Sequence, residues 1–160
     1  MYGDTDSAFI LLPTTKKEAD IKSFVEKVNK KLPGRMELEF EGLYKRGLFV
    51  TRKEGRVAKK RYALADYEDH LTIVGFEYVR RDHSLIARET QRRVLQEILV
   101  NVDPQKAHDI VLEVVKRLRE GKVPKKELVV LTQLQRKLEN YATTAPHVSA
   151  ALKAKKRGKK

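Results

Sequence analysis

The chain has 160 residues, of which 41% are hydrophobic and 36% are charged, and its formal net charge is +13. It contains no cysteine, which excludes disulfides and thiolate metal sites, and no apolar run approaches the roughly 20 residues that span a bilayer. A chain of this length can bury a real core as one domain or two small ones. Because the first dozen residues also lack the basic start expected of a signal peptide, we expect a soluble, intracellular protein.

The first predicted element is a hairpin with an acidic turn. Tyr2-Gly3-Asp4-Thr5-Asp6-Ser7 precedes the apolar run from Ala8 to Leu12. Asp4 and Asp6 are spaced to hold a divalent cation, and Mg²⁺ takes one or two carboxylates together with substrate phosphates. An ordinary surface turn would use the same residue types. Because the strand before the turn is so short and a lone ribbon is marginal, we expect neighbouring strands from another polypeptide.

A helix is predicted after this hairpin. Thr15-Lys16-Lys17-Glu18 has the spacing of a capping box. Apolar residues then repeat at helical spacing from Ile21 to Leu32, which predicts a buried stripe. Pro33-Gly34 marks the end of the helix.

Beyond Gly34 the pattern is that of an antiparallel sheet. From Met36 to Phe40, apolar residues alternate with acidic ones, which predicts a strand with one buried face. Further strands are expected at 47–51, 57–65 and 71–78, joined by turns at Glu54-Gly55 and Glu68-Asp69. The strand at 36–40 would place three carboxylates on its exposed side, those of Glu37, Glu39 and Glu41.

The second half of the chain is helical and strongly basic. Residues 1–79 carry 15 basic and 13 acidic side chains, whereas residues 80–160 carry 20 and 9. An imbalance of this kind favours a nucleic-acid partner over a surface neutralised by its own ion pairs. The change of period and charge places a domain boundary near residue 79.

The first helix of this half has an apolar face from Leu85 to Leu99. Three arginines fall at steps of seven and four on another face. Such a row is either a solvated face or a surface that lies against a phosphate backbone. Its members are Arg81, Arg88 and Arg92.

A second helix and a basic tail follow. Asp103-Pro104 is an N-cap followed by proline at the first helical position, and the buried stripe runs from Ala107 to Leu118 before Gly121. The tail from His147 onward is either a third helix or a frayed basic end. These elements predict an α+β fold, an antiparallel sheet with one packing helix followed by a mainly helical part.

Several stretches, in order along the chain, resemble the family B DNA polymerases, particularly the archaeal ones. Residues 2–7 resemble the family's third polymerase motif, which lies on a palm-domain hairpin, and residues 37–47 are similar to the palm strand and turn that follow it. Lys60-Arg61-Tyr62 resembles the Lys-x-Tyr motif, which holds primer and template near the active site. Residues 78–91 resemble the entry to the thumb, and residues 145–148 resemble a later thumb segment.

The resemblance implies a partial palm domain at 1–79 and an incomplete thumb domain at 80–160. It also implies Asp6 as the principal ligand of Mg²⁺ and Asp4 as its companion, with Glu39 or Glu41 as an auxiliary ligand. The residues that it places against DNA are Lys60, Arg61, Tyr62, Arg80, Arg81, Arg88 and Arg92.

The sequence also departs from the family pattern. Residues 52–58 look like an insertion before the Lys-x-Tyr motif, and the family's other metal-binding aspartate, its fingers helix and its proofreading carboxylates have no counterpart here. The resemblance therefore implies the small subunit of a split DNA polymerase. A large subunit would carry the exonuclease, the fingers and the remaining palm.

The expected ligands of this assembly are primer-template DNA and dNTP, and the expected location is the cytoplasm, in association with the nucleoid and not with a membrane. Two other functions stay open. One is a non-catalytic module that grips duplex DNA. The other is a self-sufficient metal enzyme, such as a nuclease or a sugar-nucleotide transferase, that uses the acidic turn alone.

Overall fold

The computed structural model describes residues 2–3, 7–13, 15–51, 57–143 and 145–158, except for the side chains of Val57 and Lys59. The predicted α+β fold is confirmed, because small antiparallel sheets are combined with several helices. The chain divides into two compact units. The first comprises Met1–Gly75 and Leu99–Asn101, and the second comprises Phe76–Ile98 and Val102–Lys160. No helix in the described ranges is long and apolar enough to cross a membrane.

The first unit contains two antiparallel sheets. Strands β1 (Tyr2–Gly3) and β2 (Ala8–Phe9) form the predicted hairpin. Strands β3 (Tyr44–Thr51), β4 (Val57–Asp66) and β5 (Leu71–Val74) form a sheet in the order β3-β4-β5. Its best-buried residues are the consecutive Ala63, Leu64 and Ala65 of β4, which is the central strand.

The apolar run after the acidic turn is not a continuous strand. Strand β2 ends at Phe9, and the side chain of Leu11 is 91% exposed. Pro13 has no backbone N–H with which to continue a ladder. The run from Ile10 to Leu12 therefore leaves the hairpin as an exposed apolar segment.

Helix α1 spans Glu18–Asn29, and the predicted capping box at Thr15 is wrong. The N-cap is Lys17, whose backbone N–H donates to the Asp20 carboxylate over 2.9 Å. Asp20 thus supplies the carboxylate that Glu18 was expected to supply, and Glu18 forms an ion pair with Lys22 instead. No residue of α1 is fully buried, so its apolar stripe packs less deeply than predicted.

The strand predicted at 36–40 is absent from the structure. Residues 36–43 have no regular secondary structure, although all of them are described. The Asn29 side chain takes the place of a neighbouring strand: its amide Nδ2 donates to the Leu38 carbonyl, and its Oδ1 accepts the Leu38 N–H. The alternation of apolar and acidic residues therefore follows an extended segment tied to the end of α1.

The remaining predictions for the sheet are confirmed in part. The Glu68-Asp69 turn is present, and the Asp66 carboxylate accepts the backbone N–H groups of Glu68 and His70. The strand expected at 71–78 ends at Val74 because Gly75 adopts a φ of +69° and a 3₁₀ turn follows at Glu77–Val79. The predicted turn at Glu54-Gly55 lies outside the described residues.

The second unit is helical. Helix α2 (Leu85–Gln96) continues into a π-helical turn at Glu97–Asn101, whose last three residues belong to the first unit, and α3 (Pro104–Arg119) follows. The remaining helices are α4 (Lys125–Leu128), a 3₁₀ turn (Leu138–Asn140) and α5 (Pro146–Lys156). The tail is thus helical at least to Lys156, and Val148 of α5 is almost fully buried.

Helix α3 begins as its sequence predicts. Asp103 is the N-cap, its carboxylate accepts the Lys106 N–H over 2.8 Å, and Pro104 is the first helical residue. The buried stripe is narrower than predicted, because the side chains of Val111 and Leu118 are about two-fifths exposed. Ile86 of α2, Val114 of α3 and Val123 form a buried cluster that packs these helices together.

Candidate metal and nucleic-acid site

The predicted metal ligands Asp4 and Asp6 lie outside the described residues, but the strands on both sides of them are described. Tyr2 of β1 is opposite Phe9 of β2, and Gly3 is opposite Ala8. The described residues on either side of the acidic stretch therefore form an antiparallel pair. Its role in holding a metal stays a prediction.

Four aromatic side chains connect this hairpin to the larger sheet. Tyr2 and Phe9 come from the hairpin, Phe49 from β3 and Tyr62 from β4. All six pairs of ring centroids lie between 4.8 and 5.8 Å apart, and the shortest distance joins Tyr2 to Phe49. Each such pair contributes about 0.5–1.5 kcal/mol beyond the burial of its area. This aromatic cluster fixes the hairpin on the strand that carries the Lys-x-Tyr sequence.

Strand β4 is irregular at Lys60. Phe49 pairs with Tyr62, but the next pair toward the strand end joins Thr51 to Val57, so β4 has three more residues than β3 between these two pairs. Lys60 has a φ of +57°, in the left-handed region that L-residues seldom occupy. Its backbone N–H donates to the Tyr2 hydroxyl oxygen over 2.8 Å, and the residue is exposed.

The predicted auxiliary ligands are exposed. Glu39 and Glu41 lie in the extended segment beyond α1, with no strand to hold them in a row. Among the described residues no three His, Asp or Glu side chains come close enough together to hold a metal ion. A ligand role for Glu39 or Glu41 stays a prediction.

In the second unit, Arg80 and Asp82 form a two-pronged ion pair. Arg80 Nε donates to Asp82 Oδ1 over 2.9 Å, and Arg80 Nη2 donates to Oδ2 over 2.5 Å. The hydrogen bond from Arg80 lowers the pKa of Asp82 to about 2 and, in return, raises the pKa of Arg80. Both side chains are about half exposed, so solvent and ligands can reach the pair.

The predicted row of arginines does not lie on one helix. Helix α2 begins at Leu85, so Arg81 precedes it, which corrects the alignment expected from the sequence. Arg88 donates to the Tyr78 carbonyl over 2.7 Å, and its guanidinium carbon lies 5.9 Å from the centre of the Tyr78 ring. Arg92 forms an ion pair with Glu89 over 2.8 Å, and this hydrogen bond lowers the pKa of Glu89.

The arginines therefore differ in their freedom to bind a phosphate. The Arg81 side chain is exposed and makes no ion pair or hydrogen bond with any other part of the chain that the structure describes. Arg80 and Arg92 are paired with carboxylates at the surface, where solvent weakens the attraction between the two charges. These pairs can exchange a carboxylate for a phosphate at little cost.

A cavity of about 440 Å³ lies beside the start of α5. Tyr141 organises one wall of this cavity, since its hydroxyl oxygen accepts the backbone N–H groups of Gln135 and Arg136. His147 packs edge-on against the Tyr141 ring, 6.1 Å between centroids. The sequence pattern does not predict this cavity, although it marks residues 145–148, because the other walls come from a segment without helical or strand period.

The acidic motif alone does not reveal the part that Tyr2 plays. Its ring and hydroxyl group contact residues of three other strands of the unit. The available signal was the pair of aromatic residues on either side of the turn, Tyr2 and Phe9. Two aromatics directly opposite in a hairpin form one apolar face that has to be covered.

Comparison with known proteins identifies relatives for the whole chain. A model of DNA polymerase family B matches residues 1–160. The chain is 49% identical over 164 residues to a DNA polymerase of Methanocaldococcus jannaschii, a match that covers 100% of this chain and 10% of the relative. It is 47% identical to a DNA polymerase of Thermococcus gorgonarius, covering 99% and 20%, and 46% identical to one of Thermococcus kodakarensis, covering 100% and 9%. The chain therefore spans about a tenth to a fifth of the length of these relatives.

Proposed function

Because the chain belongs to the family B DNA polymerases, we propose that it supplies part of the palm and most of the thumb of a larger polymerase, with a partner chain supplying the rest. The first unit is the palm part and the second unit is the thumb. The observation that carries this proposal is the contact between the acidic hairpin and the Lys-x-Tyr strand. Tyr2 precedes Asp4 by two residues, and the Tyr2 hydroxyl oxygen is 2.8 Å from the backbone nitrogen of Lys60.

The acidic turn is the proposed metal site. Asp6 and Asp4 offer hard carboxylate oxygens, the donor type that Mg²⁺ prefers, and the absence of cysteine removes competing soft ligands. Glu39 or Glu41 is the proposed auxiliary ligand. Bound Mg²⁺ would supply the Lewis acidity that in-line nucleotidyl transfer to a primer 3′-hydroxyl requires, with dNTP as substrate and pyrophosphate as leaving group. One aspartate pair is too few for a two-metal site, so a partner aspartate is part of the proposal.

The DNA contacts of this chain are proposed for both units. In the first unit, Lys60, Arg61 and Tyr62 hold the primer-template close to the acidic turn. In the second unit the exposed Arg81 binds a backbone phosphate directly, whereas Arg80 and Arg92 bind one after releasing Asp82 and Glu89. Phosphate contacts carry no sequence information, so the affinity should depend on salt and not on sequence.

Primer extension tests this function. The 160-residue chain is assayed with Mg²⁺, dNTP and a primer-template, first alone and then mixed with a polymerase fragment from the same source that ends at the equivalent of Met1. Extension in the mixture only supports the proposal and shows that the site is shared. If neither sample extends the primer while the chain still binds duplex, the chain is a non-catalytic DNA-binding module. Nuclease activity by the chain alone would instead favour a self-sufficient metal enzyme.

A further inference from the structure

We propose that Tyr2 is a positioning residue for Lys60, and that its hydroxyl group holds the lysine in the backbone conformation that presents it to primer-template DNA. This inference rests on the proposed function, because it concerns the DNA contact assigned to Lys60. It adds a role for a side chain that touches neither metal nor DNA in the proposal above. The contact links Tyr2, at the start of the hairpin, directly to the DNA-contacting lysine.

The left-handed backbone conformation of Lys60 has to be stabilised by contacts with other residues. A left-handed φ in a residue with a side chain is unfavourable, and such a residue persists only when its surroundings fix it. Lys60 has no cross-strand partner in the register of β3, β4 and β5 among the residues described. Its N–H instead bonds to Tyr2, a residue 58 positions away in sequence.

The packing of Tyr2 allows it to stabilise the backbone conformation of Lys60. Its ring lies 4.8 Å from Phe49 and 5.8 Å from both Phe9 and Tyr62, measured between centroids. Packing on three sides restricts the ring, so its hydroxyl group stays in place without the entropy loss that a long flexible side chain would suffer. The aromatic cluster therefore sets the position of the oxygen that receives the Lys60 N–H.

The conformation of Lys60 decides where its charge lies. Side chains of a regular strand alternate between the two faces of the sheet. A shift of the register by one residue therefore moves every side chain of the strand to the opposite face. If the left-handed residue relaxes to an extended one, the ammonium group leaves the direction that the bulge gives it. Loss of the Tyr2 hydroxyl group should then weaken the DNA contact of Lys60 while the lysine itself is still present.

A double-mutant cycle on DNA affinity tests this. Tyr2→Phe, which keeps the ring, is combined with Lys60→Ala in the assembled polymerase, and the dissociation constant for a primer-template is measured from low to high salt. We expect Tyr2→Phe to weaken binding about threefold to tenfold, the effect of one lost hydrogen bond. Lys60→Ala should reduce the log–log salt slope by about 0.9, the value for one phosphate contact. The double variant should bind no more weakly than Lys60→Ala.

Tyr67→Phe is the matched control, because Tyr67 belongs to the same unit and its side chain is 71% exposed. Its affinity and salt slope should equal those of the wild type. Strictly additive effects of Tyr2→Phe and Lys60→Ala would overturn the inference, and so would identical behaviour of Tyr2→Phe and Tyr67→Phe. Failure of the wild-type assembly to extend primers would refute the proposed function instead, since the cycle measures affinity and not synthesis.

Discussion

Gly75 and Lys60 approach so closely that a side chain at position 75 is excluded. A Cβ atom built on Gly75 would lie 1.7 Å from the Lys60 carbonyl oxygen and 2.9 Å from its carbon. Both residues have a positive φ, +69° for Gly75 and +57° for Lys60. The bulge that presents Lys60 therefore depends on a glycine at the end of the neighbouring strand.

Gly75→Ala should destabilise the first unit by about 2–5 kcal/mol, the sum of the left-handed penalty and the cost of forcing the two backbones apart. Gly34→Ala is the control. Gly34 is in the same unit and has a φ of +65°, yet nothing lies within 4 Å of its Cβ position. Gly34→Ala should lower the free energy of unfolding by only about 1–2 kcal/mol. Chemical denaturation of the full chain measures the free energy of unfolding of both variants, and equal decreases would contradict the close approach of Gly75 to Lys60.

The sequence predicts best those elements whose signals are local. Asp103 and Pro104 predict the start of α3 because the cap and the helix it caps are within four residues of each other. The alternation at 36–40 misled the prediction because a strand also needs a partner. That requirement is met here by the side chain of Asn29, nine residues before Leu38, which no period of the sequence reveals.

The candidate site could be predicted only in its parts. The acidic turn and Lys60 were each recognisable from short motifs, but the Tyr2–Lys60 bond joins residues 58 positions apart and depends on a bulge. The spacing of seven residues between Arg81 and Arg88 fits a helix and predicts that the two arginines align. The helix begins only at Leu85, after the ion pair of Arg80 with Asp82.

Asp6→Ala should abolish most primer extension without weakening DNA binding. A metal that acts as a Lewis acid contributes several kcal/mol to transition-state stability, so loss of its principal ligand should lower kcat about 10³-fold or more. Glu26→Gln removes an exposed acidic charge elsewhere in the first unit and should leave kcat unchanged. Steady-state extension kinetics of the assembled polymerase measure both variants. Wild-type kcat in the Asp6→Ala enzyme would refute the metal assignment.

Asp103→Ala should destabilise the second unit by about 1 kcal/mol, because the Lys106 N–H loses its carboxylate partner at the start of α3. The control is Asp109→Ala in the same helix. Asp109 accepts an exposed side-chain hydrogen bond from Gln105, its carboxylate lies 3.8 Å from His108 Nδ1, and alanine favours a helix interior. Urea unfolding followed by circular dichroism should show a lower midpoint for Asp103→Ala only. A lower midpoint for both variants would show that capping is not the cause.

The carboxyl group of Asp82 should remain ionised at pH 3. Its pKa is about 2 in the folded chain and about 3.9 in an unfolded one. Because the folded value is the lower one, the Arg80–Asp82 pair stabilises the fold above about pH 3.9 and loses this effect as the pH falls through 2. Carboxyl-carbon NMR should show that Arg80→Gln raises the pKa of Asp82. The control is Arg81→Gln, which removes the neighbouring arginine and should leave the pKa of Asp82 unchanged. If Arg81→Gln also raised the pKa of Asp82, net charge and not the ion pair would be its cause.

Asp82→Asn should strengthen the binding of primer-template DNA. In the free chain the Asp82 carboxylate accepts hydrogen bonds from both Nε and Nη2 of Arg80. A phosphate therefore has to displace this carboxylate before the phosphate can bind Arg80. Asparagine has no charge with which to compete, and Arg80 becomes available to the phosphate. We expect a dissociation constant several-fold lower at low salt and a log–log salt slope steeper by up to about 0.9.

The control for Asp82→Asn has to separate a local effect from a change in net charge. Glu113→Gln removes one negative charge from the same unit, but the partner of Glu113 is Arg93, at 3.6 Å, which is not among the proposed DNA contacts. A more positive net charge alone would strengthen DNA binding equally in both variants. If Asp82→Asn binds DNA more tightly than Glu113→Gln does, the Asp82 carboxylate competes with DNA phosphate for Arg80. Equal gains would show that Arg80 does not touch the DNA.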